Sequence, residues 1–374
     1  MRVSPGFRDW LVAQRISLAV STYQSGRLFL IGPGPGPRLW ISQRAFPRSM
    51  GLWSDTQSLW LASAFQLWRL ENALEAGQRQ AGCDRLFVPR AAFTTGDVDA
   101  HDVAVEASGR VVLVSSRFSC LATLSPGWSI QPFWQPWFVT RMAPDDRCHL
   151  NGVALVGGRC RYVTVCGQTD APEAWRAVRE EGGAVLDVDG NEPLATGLSM
   201  PHSPRFDGSR LWLLESGRGR LGWIDPSGGR FEPVAFCPGY ARGLAFSGRY
   251  AVVGVSKPRR GRTFVGLPLD DELARRRERA RCGLLVIDRD SGRLAHWLQI
   301  VSGTDELYDV VLLPDVSQPR ALACTAQEVR HRIWFEWQGQ RYAWRRRAKP
   351  TPPDEPHSGD LPPDDVARES APGA

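Results

Sequence analysis

Short apolar runs of three to five residues recur along this chain, each preceded by polar residues and followed by a turn. In one unit, strands are predicted at 103–105, 111–115 and 118–124. Turns at Ser108-Gly109 and Pro126-Gly127 end the first and the third of these strands. Runs this short, joined by glycine-containing turns, are typical of antiparallel sheets rather than of long helices.

Units of this kind begin at six places, with steps of 51, 50, 51, 40 and 66 residues between equivalent positions. A repeat of this length, built from three or four strands, is typical of a propeller blade. The sequence therefore predicts an all-β protein, a six-bladed β-propeller with one helical insertion. A seven-bladed ring, with a degenerate blade near the N-terminus, remains an alternative. The six equivalent positions before the apolar runs are Met50, His101, Asn151, His202, Arg242 and Tyr308.

The longest step contains an insertion at residues 257–282. Within it, residues 270–281 predict a helix, because acidic residues come first and arginines last, as the helix dipole favours. The insertion leaves its blade after the second strand. Whether it covers the central axis or lies outside the ring is left open by the sequence.

Two further strands are predicted near the N-terminus, at 16–20 and 27–31. A propeller joins its two ends to avoid an open sheet edge, so we expect these strands to pair with the strand after Tyr308. One propeller domain is thus predicted over residues 1–345. Residues 346–374 are rich in proline, acids and glycine without an apolar period, which predicts a disordered tail.

Composition supports a folded core and limits the kinds of site. Apolar residues make up 43% of the chain, and its 15 Trp and 37 Gly suit short strands and tight turns. None of the eight cysteines forms a C-x-x-C pair, which argues against a structural zinc site of that type. We see no secretory signal and no apolar run long enough for a membrane span, so a reducing, cytoplasmic location is predicted.

The net charge of +6 is concentrated in the insertion and in residues 345–349. Basic runs can contact phosphates, but a solvated helix face and a basic tail explain this pattern more simply. Phe264 is the one aromatic residue among the arginines of the insertion, so nucleic-acid binding is not predicted.

In a propeller, equivalent positions converge on one axis, so residues far apart in sequence become neighbours. The six positions named above contain two histidines, an arginine and a tyrosine, which turn chemistry does not explain. The residue that follows each of them belongs to a second set of equivalent positions. This second set is Gly51, Asp102, Gly152, Ser203, Gly243 and Asp309.

The two sets together predict a polar site at the mouth of the central channel. His101, His202 and Asp102 are the candidate catalytic residues, the histidines as proton carriers and the carboxylate as an orienting group. A divalent metal, if one binds, is expected on His101, His202 and Asp309. A purely structural ring, in which each histidine bonds a carbonyl of a neighbouring blade, is the alternative.

Three other residues are candidate ligand-binding groups at the same mouth. Arg242 would hold a carboxylate or phosphate, while Asn151 and Tyr308 would contact the rest of a small molecule. His149, two residues before Asn151, could reach the mouth or face solvent. A small-molecule ligand is the expected partner, and no cofactor other than a divalent metal is indicated.

Eight segments of the chain carry a further signal in combination. They are Leu18–Gln24, Phe46–Gly51, Asp99–Val103, His149–Gly152, Met200–Arg205, Ala241–Leu244, Gly266–Leu269 and Glu306–Val310. Together they resemble one bacterial family of conserved hypothetical proteins, catalogued as a domain of unknown function. The resemblance covers about residues 10–340 and implies a propeller-like domain without an assigned activity.

A looser similarity connects the chain with calcium-dependent lactonases and related six-bladed hydrolases. Those enzymes place Asn and Asp at the blade mouths, where Asn151 and Asp309 lie in this sequence. Their mouth is mainly acids and amides, whereas this one carries His101, His202 and Arg242. The similarity therefore does not by itself carry over the metal or the lactone hydrolysis.

The sequence thus predicts an uncharacterised β-propeller whose channel mouth binds a small anionic or hydroxylated ligand. A divalent metal and a hydrolase-type activity are further options at that mouth. A non-catalytic scaffold that binds a protein partner is the alternative function, and whether the chain is an enzyme is left open.

Overall fold

The computed structural model describes residues 1–258 and 266–345 of the chain. The chain divides into two compact units, residues 1–329 and 330–374. In the first unit, six small sheets follow one another around a ring, and all their strand pairs are antiparallel except one short parallel pair at the edge of one sheet. This arrangement is a six-bladed β-propeller, as the repeat spacing predicted.

The N-terminal half of the propeller sequence supplies short strands, most of which pair with the next strand as an antiparallel hairpin. They are β1 (Arg2–Val3), β2 (Ile16–Thr22), β3 (Arg27–Gly32), β4 (Trp40–Ala45), β5 (Leu52–Ser54), β6 (Ser58–Ala62), β7 (Gln66–Asn72), β8 (Arg85–Thr94), β9 (Ala100–Val105), β10 (Val111–Ser115), β11 (Cys120–Thr123) and β12 (Gln131–Trp134). A helix, α1 (Phe7–Gln14), lies between β1 and β2 and buries Phe7, Trp10 and Leu11.

The second half repeats this order and adds two short helices. Its strands are β13 (Leu150–Val156), β14 (Arg159–Val165), β15 (Gly183–Asp187), β16 (Glu192–Leu198), β17 (Pro201–Phe206), β18 (Leu211–Glu215), β19 (Arg220–Ile224), β20 (Phe231–Phe236), β21 (Tyr240–Ser247), β22 (Tyr250–Ser256), β23 (Gly283–Asp288), β24 (Leu294–Gln299), β25 (Val310–Pro314) and β26 (Pro319–Ala321). The helices are α2 (Trp175–Val178) and α3 (Pro268–Arg276).

The innermost strands of the six blades are β25, β5, β9, β13, β17 and β21, which define blades 1 to 6 in that order. Each begins within two residues of one of the six equivalent positions found in the sequence. The repeat therefore placed every innermost strand correctly. It did so because each blade needs one apolar strand next to the axis, and that strand is the most regular part of the unit.

Blade 1 closes the ring with strands from both ends of the propeller. Strand β25 pairs antiparallel with β2, with Val310 opposite Val20, and β3 and β4 complete the sheet. This confirms the predicted closure. The N-terminal strands belong to blade 1 rather than to a seventh blade, since the described residues form six blade sheets.

Adjacent blades pack through apolar faces that the strand sequences supply. Between blades 3 and 4, for example, Val114 and Leu121 lie in one buried cluster with Val153 and Val163. Because both faces of the strands in the middle of each blade are covered, strands such as β10, β18 and β23 are fully buried and read as nearly continuous apolar runs rather than as an alternating pattern.

The predicted insertion helix is present as α3, between β22 and β23 of blade 6. It begins at Pro268, a residue suited to the first helical position, and ends before Arg277, whose φ of 53° is left-handed. The helix is therefore shorter than the predicted 270–281. Residues 259–265 of the insertion lie outside the described residues.

The second unit contains a β-hairpin of β27 (Arg332–Trp337) and β28 (Gln340–Arg345). A short helix, α4 (Gln327–Arg330), precedes it in sequence. The tail predicted to be disordered, residues 346–374, lies outside the described residues. Among the helices that the structure describes, none has the length and apolar character needed to cross a membrane.

Candidate functional site

The six equivalent residues lie at the starts of the innermost strands, and each is buried. In blades 3, 4 and 5 they make the same contact with the backbone. The Nδ1 atoms of His101 and His202 lie 3.1 and 2.8 Å from the carbonyl oxygen two residues earlier, and the Nδ2 amide of Asn151 donates to the equivalent carbonyl at 3.1 Å. A carbonyl oxygen only accepts hydrogen bonds, so the proton of each imidazole is on Nδ1. Both histidines therefore carry a lone pair on Nε2.

The residues that supply these carbonyls share an uncommon backbone conformation. Asp99, His149 and Met200 have left-handed φ values of 50°, 51° and 47°. Non-glycine residues adopt this region at an energetic cost, and such strain persists where the surrounding structure fixes it. Here the repeated side-chain-to-carbonyl bond fixes the turn that leads into each inner strand.

The second set of positions holds the blades together around the axis. The Asp102 carboxylate accepts the backbone N–H of Val153 in blade 4 at 3.1 Å, and the Asp309 carboxylate accepts that of Leu52 in blade 2 at 2.8 Å. Ser203 of blade 5 makes the equivalent bond to Gly243 of blade 6 at 2.9 Å. The three polar members of this set thus form hydrogen bonds across every second junction between neighbouring blades.

Glycines occupy the remaining members of the second set, because the neighbouring blade approaches closely there. A Cβ atom on Gly51 would lie 2.6 Å from Cα of Asp102, and one on Gly243 would lie 2.8 Å from Cα of Asp309. Glycine therefore alternates with Asp or Ser around the ring because the blade packing leaves no room for a side chain at the glycine positions.

Arg205, on the inner strand of blade 5, joins the two carboxylates of this set. Its Nη1 lies 2.9 Å from Oδ2 of Asp102, and its Nη2 lies 3.7 Å from Oδ1 of Asp309. Burial raises the pKa of Asp309 to about 7, against the opposing effect of Arg205. Arg205 also lines a second cavity of about 580 Å³, whose other lining residues are mainly apolar.

A cavity of about 520 Å³ opens at the mouth, and most of its lining residues are polar. The basic residues in the lining are Arg117, Arg176 and Arg242, and His101, His149 and Tyr23 lie beside them. The acidic residues of the lining are paired: Asp99 with His101 at 3.5 Å, Asp145 with Arg147 at 2.9 Å, Asp146 with His149 at 2.9 Å and Glu173 with Arg176 at 3.0 Å. Every carboxylate of the lining therefore lies within 3.5 Å of a basic side chain.

Burial keeps the two predicted catalytic histidines neutral. Burial lowers the pKa of His101 to about 4, since its interaction with Asp99 only partly opposes that effect. The pKa of His202 is also well below its usual value, through burial and the nearby charge of Arg242. Nε2 of His202 is buried and has no hydrogen-bond partner among the described residues.

His149 reaches the mouth, the first of the two placements that the sequence left open. Its Nδ1 lies 2.9 Å from Oδ2 of Asp146, and the Trp175 indole donates to the same oxygen at 3.0 Å. The rings of His149 and Trp175 stack with centroids 4.2 Å apart. Although burial opposes it, His149 and the two hydrogen bonds hold the pKa of Asp146 below its usual value.

Cys166 is a member of the mouth that the sequence analysis did not single out. One ligand atom each from His149, His202 and Cys166 lies within 4.8 Å of the others, and all three residues are buried. The Asn151 amide donates to the Cys166 sulfur at 3.3 Å and is itself oriented by the Thr164 hydroxyl at 2.7 Å. Burial raises the pKa of the Cys166 thiol.

A sequence signal for Cys166 existed. It directly follows the second strand of blade 4, and the equivalent residues of blades 3 and 5 are Ser116 and Ser216. Both serines donate a hydroxyl to a backbone carbonyl of the next blade, Ser116 to Leu150 at 2.5 Å. Because serine in the neighbouring blades serves to bond the next blade, a cysteine in the same position of blade 4 indicates a role other than that hydrogen bond.

The remaining predicted residues lie around this group. Arg242 packs over the Tyr308 ring at 5.3 Å and pairs with Glu306 at 3.4 Å, and Tyr308 stacks on Tyr23 with centroids 5.7 Å apart. Met50, in the equivalent position of blade 2, is packed in an apolar cluster. The mouth thus brings together His101, His202, Asn151, Arg242 and Tyr308, while Asp102 and Asp309 bond blade junctions and Arg205.

Helix α3 of the insertion packs behind two residues of the mouth. Leu269 and Leu273 of α3 are buried in one cluster with Cys166, Trp175 and Tyr240. None of the described residues of the insertion lines the cavity itself.

Solved structures that align with this chain do so at low sequence identity. A chain in the crystal structure of a nidogen/laminin complex aligns with a TM-score of 0.51 and 13% identity, over 80% of this chain and 99% of that chain. A protein of unknown function from Bacteroides caccae aligns with a TM-score of 0.49 and 9% identity, over 80% of this chain and 98% of that chain. At these identities the likeness concerns the fold alone.

A search of curated proteins finds no match to the chain. Residues 5–322, in contrast, match the model of a single protein family. This range contains every blade strand except β1, and every residue of the mouth described above. The protein therefore belongs to the family defined by the domain of unknown function DUF4915.

Proposed function

We propose that the cavity at the channel mouth binds a small anionic or hydroxylated molecule and acts on it as a hydrolase-type site. The observation that carries the proposal is that Arg242 and a neutral His101 line the same cavity. A guanidinium group presents five N–H donors in a plane and suits a carboxylate or a phosphate. Nε2 of a neutral imidazole accepts a hydrogen bond from a hydroxyl group or a water.

Burial makes His101 a weak base, since it lowers the pKa of the imidazole to about 4. An anion bound at Arg242 would favour the charged form of the imidazole and so raise that pKa. Proton transfer at His101 is most effective when its pKa lies near the working pH. In this proposal the bound anion therefore makes His101 a stronger base, and His202 is a second proton carrier beside it.

The other predicted residues act in this proposal by positioning. The ring of Tyr308 helps to hold Arg242 in position, since Cζ of Arg242 lies 5.3 Å from the centroid of that ring. Asn151 orients Cys166 and the His149 backbone, and Asp102 fixes Arg205 and the inner strand of blade 4. None of these three roles requires direct contact with the reacting atoms.

Binding is tested by thermal unfolding of the full chain with inorganic phosphate and with gluconate at neutral pH. A ligand that binds only the folded state at 100 times its dissociation constant stabilises it by about 2.7 kcal/mol. We expect a saturable rise in melting temperature with the unaltered chain and none with the double variant Arg242→Gln/Glu306→Gln. Both residues are replaced because removing Arg242 alone would leave the buried Glu306 carboxylate without its partner. Arg38→Gln, at an exposed position, is the matched control. No stabilisation by either anion, or full stabilisation of the double variant, would refute binding at Arg242.

The hydrolase-type activity needs its own measurement. A panel of small esters and lactones that carry a carboxylate is followed by proton release. We expect turnover that His101→Gln lowers at least tenfold while gluconate still stabilises the variant. Turnover that is unchanged in His101→Gln would show that His101 is not the base.

A further inference from the structure

We propose that His149, His202 and Cys166 form a binding site for a divalent transition metal of the zinc class. The site extends the proposed function and rests on it, because His149 also lines the ligand cavity. The test given below does not, however, require that any anion binds.

The three side chains are close enough for one ion. Their ligand atoms lie within 4.8 Å of one another. With bonds of about 2.0–2.1 Å to nitrogen and 2.3 Å to sulfur, a tetrahedral ion needs about 3.3–3.8 Å between its ligand atoms. A side-chain adjustment of about 1 Å closes that gap, which is within the range of small rotations of a histidine and a cysteine.

His202 supplies the strongest single indication. Its side chain is almost completely buried, and Nε2 has no hydrogen-bond partner among the residues that the structure describes. Nδ1 is bound to the Met200 carbonyl, so Nε2 carries a lone pair. A buried acceptor without a partner costs free energy unless something binds it. A metal ion bound by Nε2 of His202 together with His149 and Cys166 would remove that cost.

The groups behind the ligands fit a metal site as well. A metal-binding histidine commonly donates its other ring N–H to a carboxylate or a carbonyl, which fixes the tautomer and the ring orientation. Asp146 serves His149 in this way at 2.9 Å, and the Met200 carbonyl serves His202 at 2.8 Å. The Asn151 amide donates to the sulfur of Cys166, as a group that supports a thiolate would.

The donor atoms select the class of metal. Two imidazole nitrogens and a thiolate suit zinc and similar ions, whereas calcium and magnesium require oxygen ligands. The oxygens that a calcium site would use are engaged elsewhere, since Oδ1 of Asn151 accepts from Thr164 and both oxygens of Asp309 accept backbone N–H groups. His149 and Cys166 therefore take the place of His101 and Asp309 in the proposed set.

Three protein ligands leave a fourth position for water or for a ligand atom. Catalytic zinc sites have this pattern, whereas structural zinc sites use four protein ligands. The proposal thus adds an electrophile next to the cavity that Arg242 and His101 line. It also explains why a thiol is present where neighbouring blades have serine.

The experiment is a Co²⁺ titration of the full chain after removal of metal with a chelator. Co²⁺ reports its ligands by absorption, because a thiolate ligand gives a charge-transfer band in the near ultraviolet. We expect saturation at one Co²⁺ per chain, with that band present. Cys166→Ser should abolish the band, and His202→Gln should weaken binding at least tenfold. Zn²⁺ should displace the cobalt.

Cys237→Ser, which removes a buried thiol of another blade, and His296→Ala are the matched controls and should behave as the unaltered chain. Melting curves of the metal-free variants show whether each is folded, and His149→Gln replaces any variant that is not. The proposal is overturned if no saturable binding occurs, or if the band survives in Cys166→Ser. Metal binding without stabilisation by phosphate or gluconate would refute the anion site alone, and the reverse result would refute the metal site alone.

Discussion

Nδ1 of His202 donates its proton to the carbonyl oxygen of Met200, 2.8 Å away. This bond determines which nitrogen of a buried imidazole faces the interior of the mouth, because the carbonyl leaves the lone pair on Nε2. His101 makes the same bond to the carbonyl of Asp99. The chemistry of the mouth is therefore set by backbone turns that recur from blade to blade.

The first prediction concerns the support of His149. Asp146→Asn keeps the shape of the side chain but removes the charge that holds Nδ1 of His149. We expect the affinity for Co²⁺ to fall about 10–100-fold, the usual effect of removing such a carboxylate. Competition with a chromophoric chelator measures it. Asp189→Asn, at an exposed ion pair with Arg161, is the control and should leave the affinity unchanged.

The second prediction concerns Arg205. Arg205→Met would leave the buried carboxylates of Asp102 and Asp309 without their cation. Removing one partner of a buried ion pair costs about 3–5 kcal/mol, and we expect the lower end because the guanidinium group is partly accessible. Denaturant unfolding measures the loss. The triple variant Asp102→Asn/Arg205→Met/Asp309→Asn should recover a large part of it, and a triple variant no more stable than the single one would contradict this account.

The third prediction is a dependence on pH. The folded-state pKa of Asp309 is raised to about 7 from an ordinary value of 3.8, so the folded chain holds a proton that the unfolded chain releases between these pH values. The unfolding free energy should therefore fall as pH rises from about 4 to about 7. Asp309→Asn lacks this proton, so its cost relative to the unaltered chain should be largest near pH 4 and smallest near pH 8.

Denaturant unfolding of both chains at matched pH values provides this comparison. Other titrating groups are common to the two chains and largely cancel in the difference. A cost of substitution that is the same at pH 4 and at pH 8 would show that the pKa of Asp309 is not raised.

The fourth prediction tests the close approach of blades 2 and 3. Gly51→Ala would place a methyl group 2.6 Å from Cα of Asp102, which is backbone and cannot rotate away. We expect a loss of about 1–3 kcal/mol, as for other overpacked sites. Gly127→Ala, where a Cβ atom meets nothing within 4 Å, should be close to neutral. Equal melting temperatures for the two variants would argue against tight packing at this junction.

The sequence predicted the architecture well because blade strands are local. Five inner strands carry a short apolar run, and the spacing of the repeat located the sixth, Pro201–Phe206. The need to close the ring paired the N-terminal strands with β25. The helix in the insertion was also predicted, with its charges in the order that the dipole favours. Its end at Arg276 was not, because a left-handed residue at position 277 terminates it within an arginine run.

The candidate site was predicted only in part. Equivalent positions identified the mouth residues that the six repeats supply, such as His101, His202 and Arg242. Trp175 and Cys166 lie outside that set, one in a connection after β14 and the other at the end of a second strand. Their approach to His149 depends on how blade 4 and the insertion helix pack, which no local pattern encodes.

What the sequence alone determined is the ring of six blades and those mouth residues that its repeats supply, because both follow from short-range strand and turn patterns repeated at a fixed spacing. What only the tertiary structure decided is the partner of each polar group. Asp102 and Asp309 face Arg205 and blade junctions, whereas His149, His202 and Cys166 approach one another. The physical reason is that hydrogen-bond geometry and burial are properties of the closed ring, in which side chains from distant blades compete for the same few partners.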